Sequence, residues 1–355
     1  MSTPLKDMLI KRIEATGPIT IADYMAECLM HPTHGYYTNN RVFGSEGDFI
    51  TAPEVSQMFG EMLGLWLADR WYKMDKPEQV QLIELGPGRG TLMEDLLRAT
   101  EPVPGFHEAL TVHFVETSPQ LRDLQAEKVP HAHWHDDLST VPDGPTLLVA
   151  NEFFDALPIH QFEKHDNKWC ERRVNSKDGS LNLVLTSAGP KFALTPKDLH
   201  NTPDGSVLEV CPAGISVAGT IAERLFQCGG AAIIIDYGYR KSATGDSFQA
   251  LKSHQYCNPF EAPGEADLTA HVAFDQIAAA ATSRGAASYG TAAQGPFLMA
   301  LGVGDRAQQL AASTDSAGQE RILSELKRLT APDEMGTLFK VLALQDPKLP
   351  APAGF

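Results

Sequence analysis

No run of eighteen apolar residues occurs in the 355-residue chain, so a membrane-spanning helix is not expected. No two of the five cysteines (Cys28, Cys170, Cys211, Cys228, Cys257) form a C-x-x-C pair. Scattered thiols of odd number argue against a disulfide framework and a structural zinc site, and for a reducing compartment. Positive charge is scarce, with 29 Lys and Arg against 45 Asp and Glu and a net charge of −16. The most basic stretch, "EKHDNKWCERR", has acids interleaved through it. Such a chain repels phosphate backbones, which disfavours nucleic acid as a partner. There is no internal repeat, no low-complexity tract and no apolar signal core. The start, "MSTPLKDMLIKRIEATGPIT", reads as the beginning of a helix rather than as a targeting peptide.

What is present is an alternation. Residues 1–75 read as a helical region in which "VSQMFGEMLGLWLADRWYKM" places Val55, Phe59, Met62, Leu63, Trp66 and Leu67 at helical spacing. A Gly- and aromatic-rich insertion precedes it, a long surface loop or a functional flap. From Val80 to Tyr237 the short apolar runs "VQLIEL", "LTVHFVE", "TLLVANE" and "AAIIIDYG" alternate with helical segments. This pattern predicts an α/β fold, a mostly parallel sheet with helices on both faces. We expect the core over 76–160 and 206–240, inserted antiparallel hairpins over 161–205, and an insertion with a closing helix and strand over 241–355.

Each apolar run ends in a polar residue: Glu84, Glu116, the pair Asn151 and Glu152, and Asp236. In an open parallel sheet the carboxyl ends of the strands share one crevice, where ligands bind. After the first run comes "GPGRGT", with Gly86, Gly88 and Gly90. It is neither the dinucleotide fingerprint, whose last position here is Thr91, nor a Walker A loop, which requires Lys-Ser/Thr. A tight turn behind an acid suits a cationic, hydroxyl-rich ligand better than a pyrophosphate. S-adenosylmethionine meets that description. The glycines would let backbone approach its methionine portion, Glu116 would accept from the ribose hydroxyls, and Asp136 or Asp137 would take the adenine amino group.

"LIELGPGRGTL", "ANEFFDALP" and "IIDYGY" resemble the MidA family of class I S-adenosylmethionine-dependent methyltransferases. Longer blocks agree in order, among them "GPITIADYMAECLMHPTHGYY", "GDFITAPEVSQMFGE", "APGEADLTAHVAF", "QGPFLMALG" and "MGTLFKVLAL". The resemblance implies a Rossmann-like fold and S-adenosyl-L-methionine as cofactor. It also implies activity as a protein arginine methyltransferase, because mitochondrial members methylate arginine and assist assembly of respiratory complex I. The implied partner is a protein substrate, a complex I subunit; the implied compartment is the bacterial cytoplasm, or the mitochondrial matrix for a processed eukaryotic form. Gly86, Gly88, Gly90, Glu84 and Glu116 match the family's cofactor loop and its flanking acids. Asn151, Glu152 and Asp155 match the block where class I methyltransferases place substrate groups.

An arginine acceptor is protonated at ordinary pH and its nitrogen is a poor nucleophile. Carboxylates grip its fork, localise the charge on other nitrogens and accept the departing proton. Glu152 is expected to orient the guanidinium and Asp155 to assist, although a helix cap would equally explain Asp155. Asp48, Thr51 and Glu54 in the flap are candidates to close over cofactor or substrate, although a packed surface loop would explain them equally; Asp267 and His271 in "ADLTAHV" are candidates to line the acceptor channel, with an N-capped helix the ordinary explanation for Asp267. His131, His133 and His135 share one face of a short predicted strand, yet no carboxylate or cysteine joins them, so no metal site is expected. Trp66 and Trp71 follow helical spacing and are assigned to the core. Two other readings remain: a methyltransferase of a small molecule or another protein nitrogen, and an assembly protein that binds the cofactor with little turnover.

Overall fold

The computed structural model describes residues 3–38, 51–189, 199, 201–253 and 255–355; Asp48 lies outside them. These residues divide into two compact units: Met1–Phe49, Asp155–Ser216 and Lys241–Ala273 form one, and Ile50–Phe154, Val217–Arg240 and Phe274–Phe355 form the other.

The second unit is built on strands β1 (Val80–Leu85), β2 (Leu110–Val115), β3 (His133–His135), β4 (Thr146–Asn151), β5 (Gly230–Tyr239), β6 (Ala287–Ala293) and β7 (Phe339–Gln345). Their order is β3-β2-β1-β4-β5-β7-β6. Neighbours from β3 to β5 run parallel, and β7 is antiparallel to both β5 and β6. Strand order reverses beside β1, the position where a doubly wound sheet opens its ligand crevice. Because both faces are covered, the central strands read as continuous apolar runs: Leu147, Leu148, Val149, Ala150 and Ile233–Ile235 are wholly buried.

The predicted apolar helix is observed as Gln57–Lys73, with Val55 falling in a separate short helix, Ala52–Val55. Ser56 makes the break, its side chain accepting from the Met58 amide at 3.3 Å. Phe59, Met62, Leu63, Trp66, Leu67 and Trp71 enter the core. The helix packs closely on Thr91–Thr100 because Gly60 and Gly64 present no side chain there; a Cβ on Gly64 would stand 2.8 Å from the Leu96 carbonyl oxygen.

The first unit carries helices Pro4–Thr16 and Ile21–Met30, the latter opened by a capping box of Thr20 and Asp23. Its antiparallel sheet contains His160–His165, Lys168–Lys177, Ser180–Thr186, Val207–Val210 and the short Ile19–Thr20. The predicted hairpin turns at Asp178 and Gly179, both with positive φ, as a two-residue turn of a twisted hairpin requires. A three-stranded sheet, Gln249–Lys252, Gln255–Cys257 and Asp267–Thr269, follows. Asp267 therefore starts a strand, and the helix cap expected for it is not made. No helix follows Asp155 either; the chain passes into His160–His165, so capping does not account for that acid.

Candidate functional site

The turn after β1 owes its shape to three left-handed glycines, Gly86, Gly88 and Gly90, with φ of 60°, 52° and 78°. The Gly86 amide donates to the Val115 carbonyl at 3.1 Å, and the Gly90 amide to the Pro87 carbonyl at 2.8 Å. A Cβ on Gly86 would press on the Phe153 ring at 3.0 Å. One on Gly88 would meet no protein atom within 4 Å, so the turn presents open space on that side.

Glu84 lies one residue before the end of β1, inside the sheet rather than at its tip. It is 3% exposed, and its Oε2 has no hydrogen-bond partner among the described residues. Burial alone pushes its carboxyl up to about 8. On the adjacent strand, the Asn151 side-chain oxygen is likewise buried, with no partner among the described residues. Two orphaned acceptors on neighbouring strands fit a cationic group such as an ammonium.

Glu116 follows β2, and its amide donates to the His135 carbonyl at 2.9 Å. Its Oε1 accepts from the Ser118 amide at 2.8 Å, while burial keeps its carboxyl above the usual range. The Ser118 hydroxyl is also buried without a partner among the described residues. Arg122 donates to the Glu116 carbonyl at 2.8 Å and to Asp136 at 2.5 Å. Asp136 is exposed and engaged in that ion pair. Asp137 accepts from the Ser139 amide at 2.8 Å, and the Ser139 hydroxyl, then that amide, hold its carboxyl below the usual range.

Gln125 was not singled out from sequence, yet it ties the site together. Fully buried, it donates to the Gly88 carbonyl at 2.7 Å and accepts from Trp134 Nε1 at 2.8 Å. Nothing in "PQLRDLQAEK" marks it except a glutamine on the buried face of a helix. His133 and His135 share β3, whereas His131 precedes it in a turn. They surround His113 of β2, whose Nδ1 lies 3.0 Å from His135 Nε2. Burial, then the neighbouring imidazoles, lowers His113 to about 4.

Beyond β4 the chain turns at Glu152, whose φ is 50°. Its Oε1 accepts from the Ala52 amide and from Asn151 Nδ2, each at 3.1 Å. Asp236, on β5, is wholly buried and binds the Phe154 amide at 3.0 Å, so this strand-end acid anchors the turn. Thr51 occupies the cap position of Ala52–Val55, with its carbonyl accepting from Glu54 and Val55. Glu54 accepts from the Thr91 hydroxyl at 2.6 Å.

The remaining candidates lie in the first unit. Asp155 and Asp267 are both buried, and Asp267 accepts from the Tyr37 hydroxyl at 3.0 Å. Burial and the charges of Asp267 and Asp155 hold the Tyr37 phenol well above its usual range, so it stays a neutral donor. The His271 amide donates to Ser247 Oγ at 2.9 Å.

The family model described as "S-adenosyl-L-methionine-dependent methyltransferase" matches residues 62–292. The Drosophila melanogaster protein named protein arginine methyltransferase NDUFAF7 homolog, mitochondrial, is 40% identical over 96% of this chain and 84% of its own. The Homo sapiens protein arginine methyltransferase NDUFAF7, mitochondrial, is 36% identical over 96% and 83%. A crystal structure from Burkholderia thailandensis, bound to S-adenosyl-homocysteine, superposes with a TM-score of 0.86 at 25% identity, covering 99% of this chain and 93% of that one. The glycine turn, its orphaned acceptors and the half-buried acid after β2 fit that cofactor, and the chain belongs to this family of S-adenosyl-L-methionine-dependent methyltransferases.

Proposed function

We propose that this methyltransferase acts on an arginine guanidinium of a protein substrate, a subunit of respiratory complex I, in the mitochondrial matrix or the cytoplasm of a bacterium. The observation that carries the acceptor side is Glu152. Two donors fix one of its carboxylate oxygens, and a left-handed backbone aims it from the end of β4. The names of the relatives support arginine, and the net charge of −16 suits a basic protein segment.

In this reading Glu84 and Asn151 accept from the cofactor's ammonium, Glu116 from its ribose, and Asp136 or Asp137 from its adenine. The bound cofactor supplies an electrophilic methyl on a sulfonium. Glu152 accepts from two guanidinium N–H groups, turns the attacking nitrogen toward that methyl and draws positive charge onto the other nitrogens. The proton shed by that nitrogen passes to a carboxylate, Glu152 or Asp155. Thr51 and Glu54 are assigned to the substrate side of the site.

The test is transfer of labelled methyl to matched peptides bearing arginine or lysine, with the modified residue located by mass spectrometry. Methylarginine is expected, lost in Glu152→Gln with cofactor affinity near that of the parent. Methyl on lysine, or undiminished transfer by Glu152→Gln, overturns the reading. Cofactor binding without transfer to any acceptor would favour the assembly-protein alternative.

A further inference from the structure

The short helix Ala52–Val55 is held at both ends. Its first amide, Ala52 N–H, donates to Glu152 Oε1 at 3.1 Å. Two residues on, Glu54 Oε1 accepts the Thr91 hydroxyl proton at 2.6 Å. Thr91 is the first residue of the helix that leaves the glycine turn. Its oxygen in turn accepts from Lys128 Nζ at 2.6 Å, and that ammonium lies 3.1 Å from Glu94. Each polar atom of this chain is matched as donor to acceptor. Arg89 lies 3.9 Å from Glu54, but both are substantially exposed, so that pair contributes little. The hydroxyl bond is the stronger link, because it lies at hydrogen-bond distance, 2.6 Å, whereas Arg89 stands at 3.9 Å.

We infer that Thr91 and Glu54 are positioning residues: their hydrogen bond holds the Ala52 amide on Glu152, so the element that carries the cofactor turn also sets the orientation of the acceptor-binding acid. Neither touches the reacting atoms. An amide at the first position of a helix has no partner within that helix. The Ala52 N–H therefore reports directly on the Glu152 bond, with or without cofactor.

The inference rests on the proposed role of Glu152, and the experiment separates the two. Thr91→Val removes the hydroxyl with little change of shape, and Thr91→Ser restores it. In the full-length protein without cofactor, Thr91→Val should speed hydrogen exchange at the Ala52 amide about tenfold, and Thr91→Ser should return it to the parent rate. With peptide substrate, kcat should fall about tenfold in Thr91→Val and Glu54→Ala, while affinity for S-adenosylhomocysteine changes less than about threefold. Unchanged exchange and unchanged kcat overturn the inference. Loss of S-adenosylhomocysteine binding in Thr91→Val overturns it as well, since Thr91 would then support the cofactor turn alone. Parent-like transfer by Glu152→Gln sinks the proposed function instead, whatever the Thr91 variants do to exchange.

Discussion

Gln125 Nε2 and the Gly88 carbonyl oxygen lie 2.7 Å apart, joining the helix after β2 to the turn after β1. The same side chain accepts from Trp134 and approaches Glu116 Oε2 at 3.4 Å. Three parts of the proposed cofactor site therefore share one buried amide. Gln125→Leu removes the donor to the Gly88 carbonyl and the acceptor of Trp134 Nε1, and with them the tie that holds the turn. Calorimetric titration with S-adenosylhomocysteine should show affinity at least about tenfold weaker. Parent affinity would mean that the turn keeps its shape without this residue.

Gly88→Val tests the turn itself. A Cβ there meets no protein atom, so the cost to the fold is the left-handed backbone alone, about 1–2 kcal/mol. The variant should fold, by circular dichroism, and fail to bind S-adenosylmethionine. Glu116→Ala should lose binding in the same way, and NAD should not bind the parent protein.

Glu84 makes stability and binding depend on pH. Its folded value of about 8 lies above the ordinary 4.5, so the folded state holds the proton more tightly than the unfolded state does. Its contribution is fully present below about 4.5 and is lost as pH rises to about 8. Urea midpoints of the cofactor-free protein should therefore decline across that window, and Glu84→Gln should flatten the decline. A cationic ligand beside the carboxylate reverses the preference. Binding near pH 7 should thus release a proton, seen as a heat that varies with the buffer's ionisation enthalpy; no such variation in the parent would remove Glu84 from ammonium recognition.

Gly64→Ala sets helix propensity against packing. Alanine favours the helix by about 1 kcal/mol. Its methyl would stand 2.8 Å from the Leu96 carbonyl oxygen and 3.1 Å from its Cα, which forces two backbones apart. Overpacking of this kind costs about 1–3 kcal/mol, so the clash wins and the thermal midpoint should fall by several degrees. An unchanged or higher midpoint would show that the two helices yield.

Local pattern carried the sheet into view. "TLLVAN" and "AAIIID" are buried on both faces, so their continuous apolar runs announced parallel strands, and the glycines of "GPGRGT" announced a close-approach turn. Asp267 shows where such reading fails. "ADLTAHV" permits a helix cap as readily as a strand start, and only pairing with Gln249–Lys252 selects the strand. Gln125 was illegible for a related reason: its partners Gly88 and Trp134 are 37 and 9 residues away, and no periodicity records a hydrogen bond across such distances.

The alternation of strands and helices, the glycine turn and the acids near the strand ends were all written in the sequence, because they follow from burial periodicity and from conformations open mainly to glycine. Contacts between distant segments set how each of these acids is partnered. Glu84, Glu116, Asp136 and Asp236 look alike in the chain. Once folded, Asp236 is bound to the Phe154 amide, Asp136 is paired with Arg122, Glu116 is held by Ser118 and Gln125, and Glu84 keeps an oxygen with no partner among the described residues. The physical reason is that a carboxylate's role depends on its partners and its access to water, and both are fixed by segments far away in the chain.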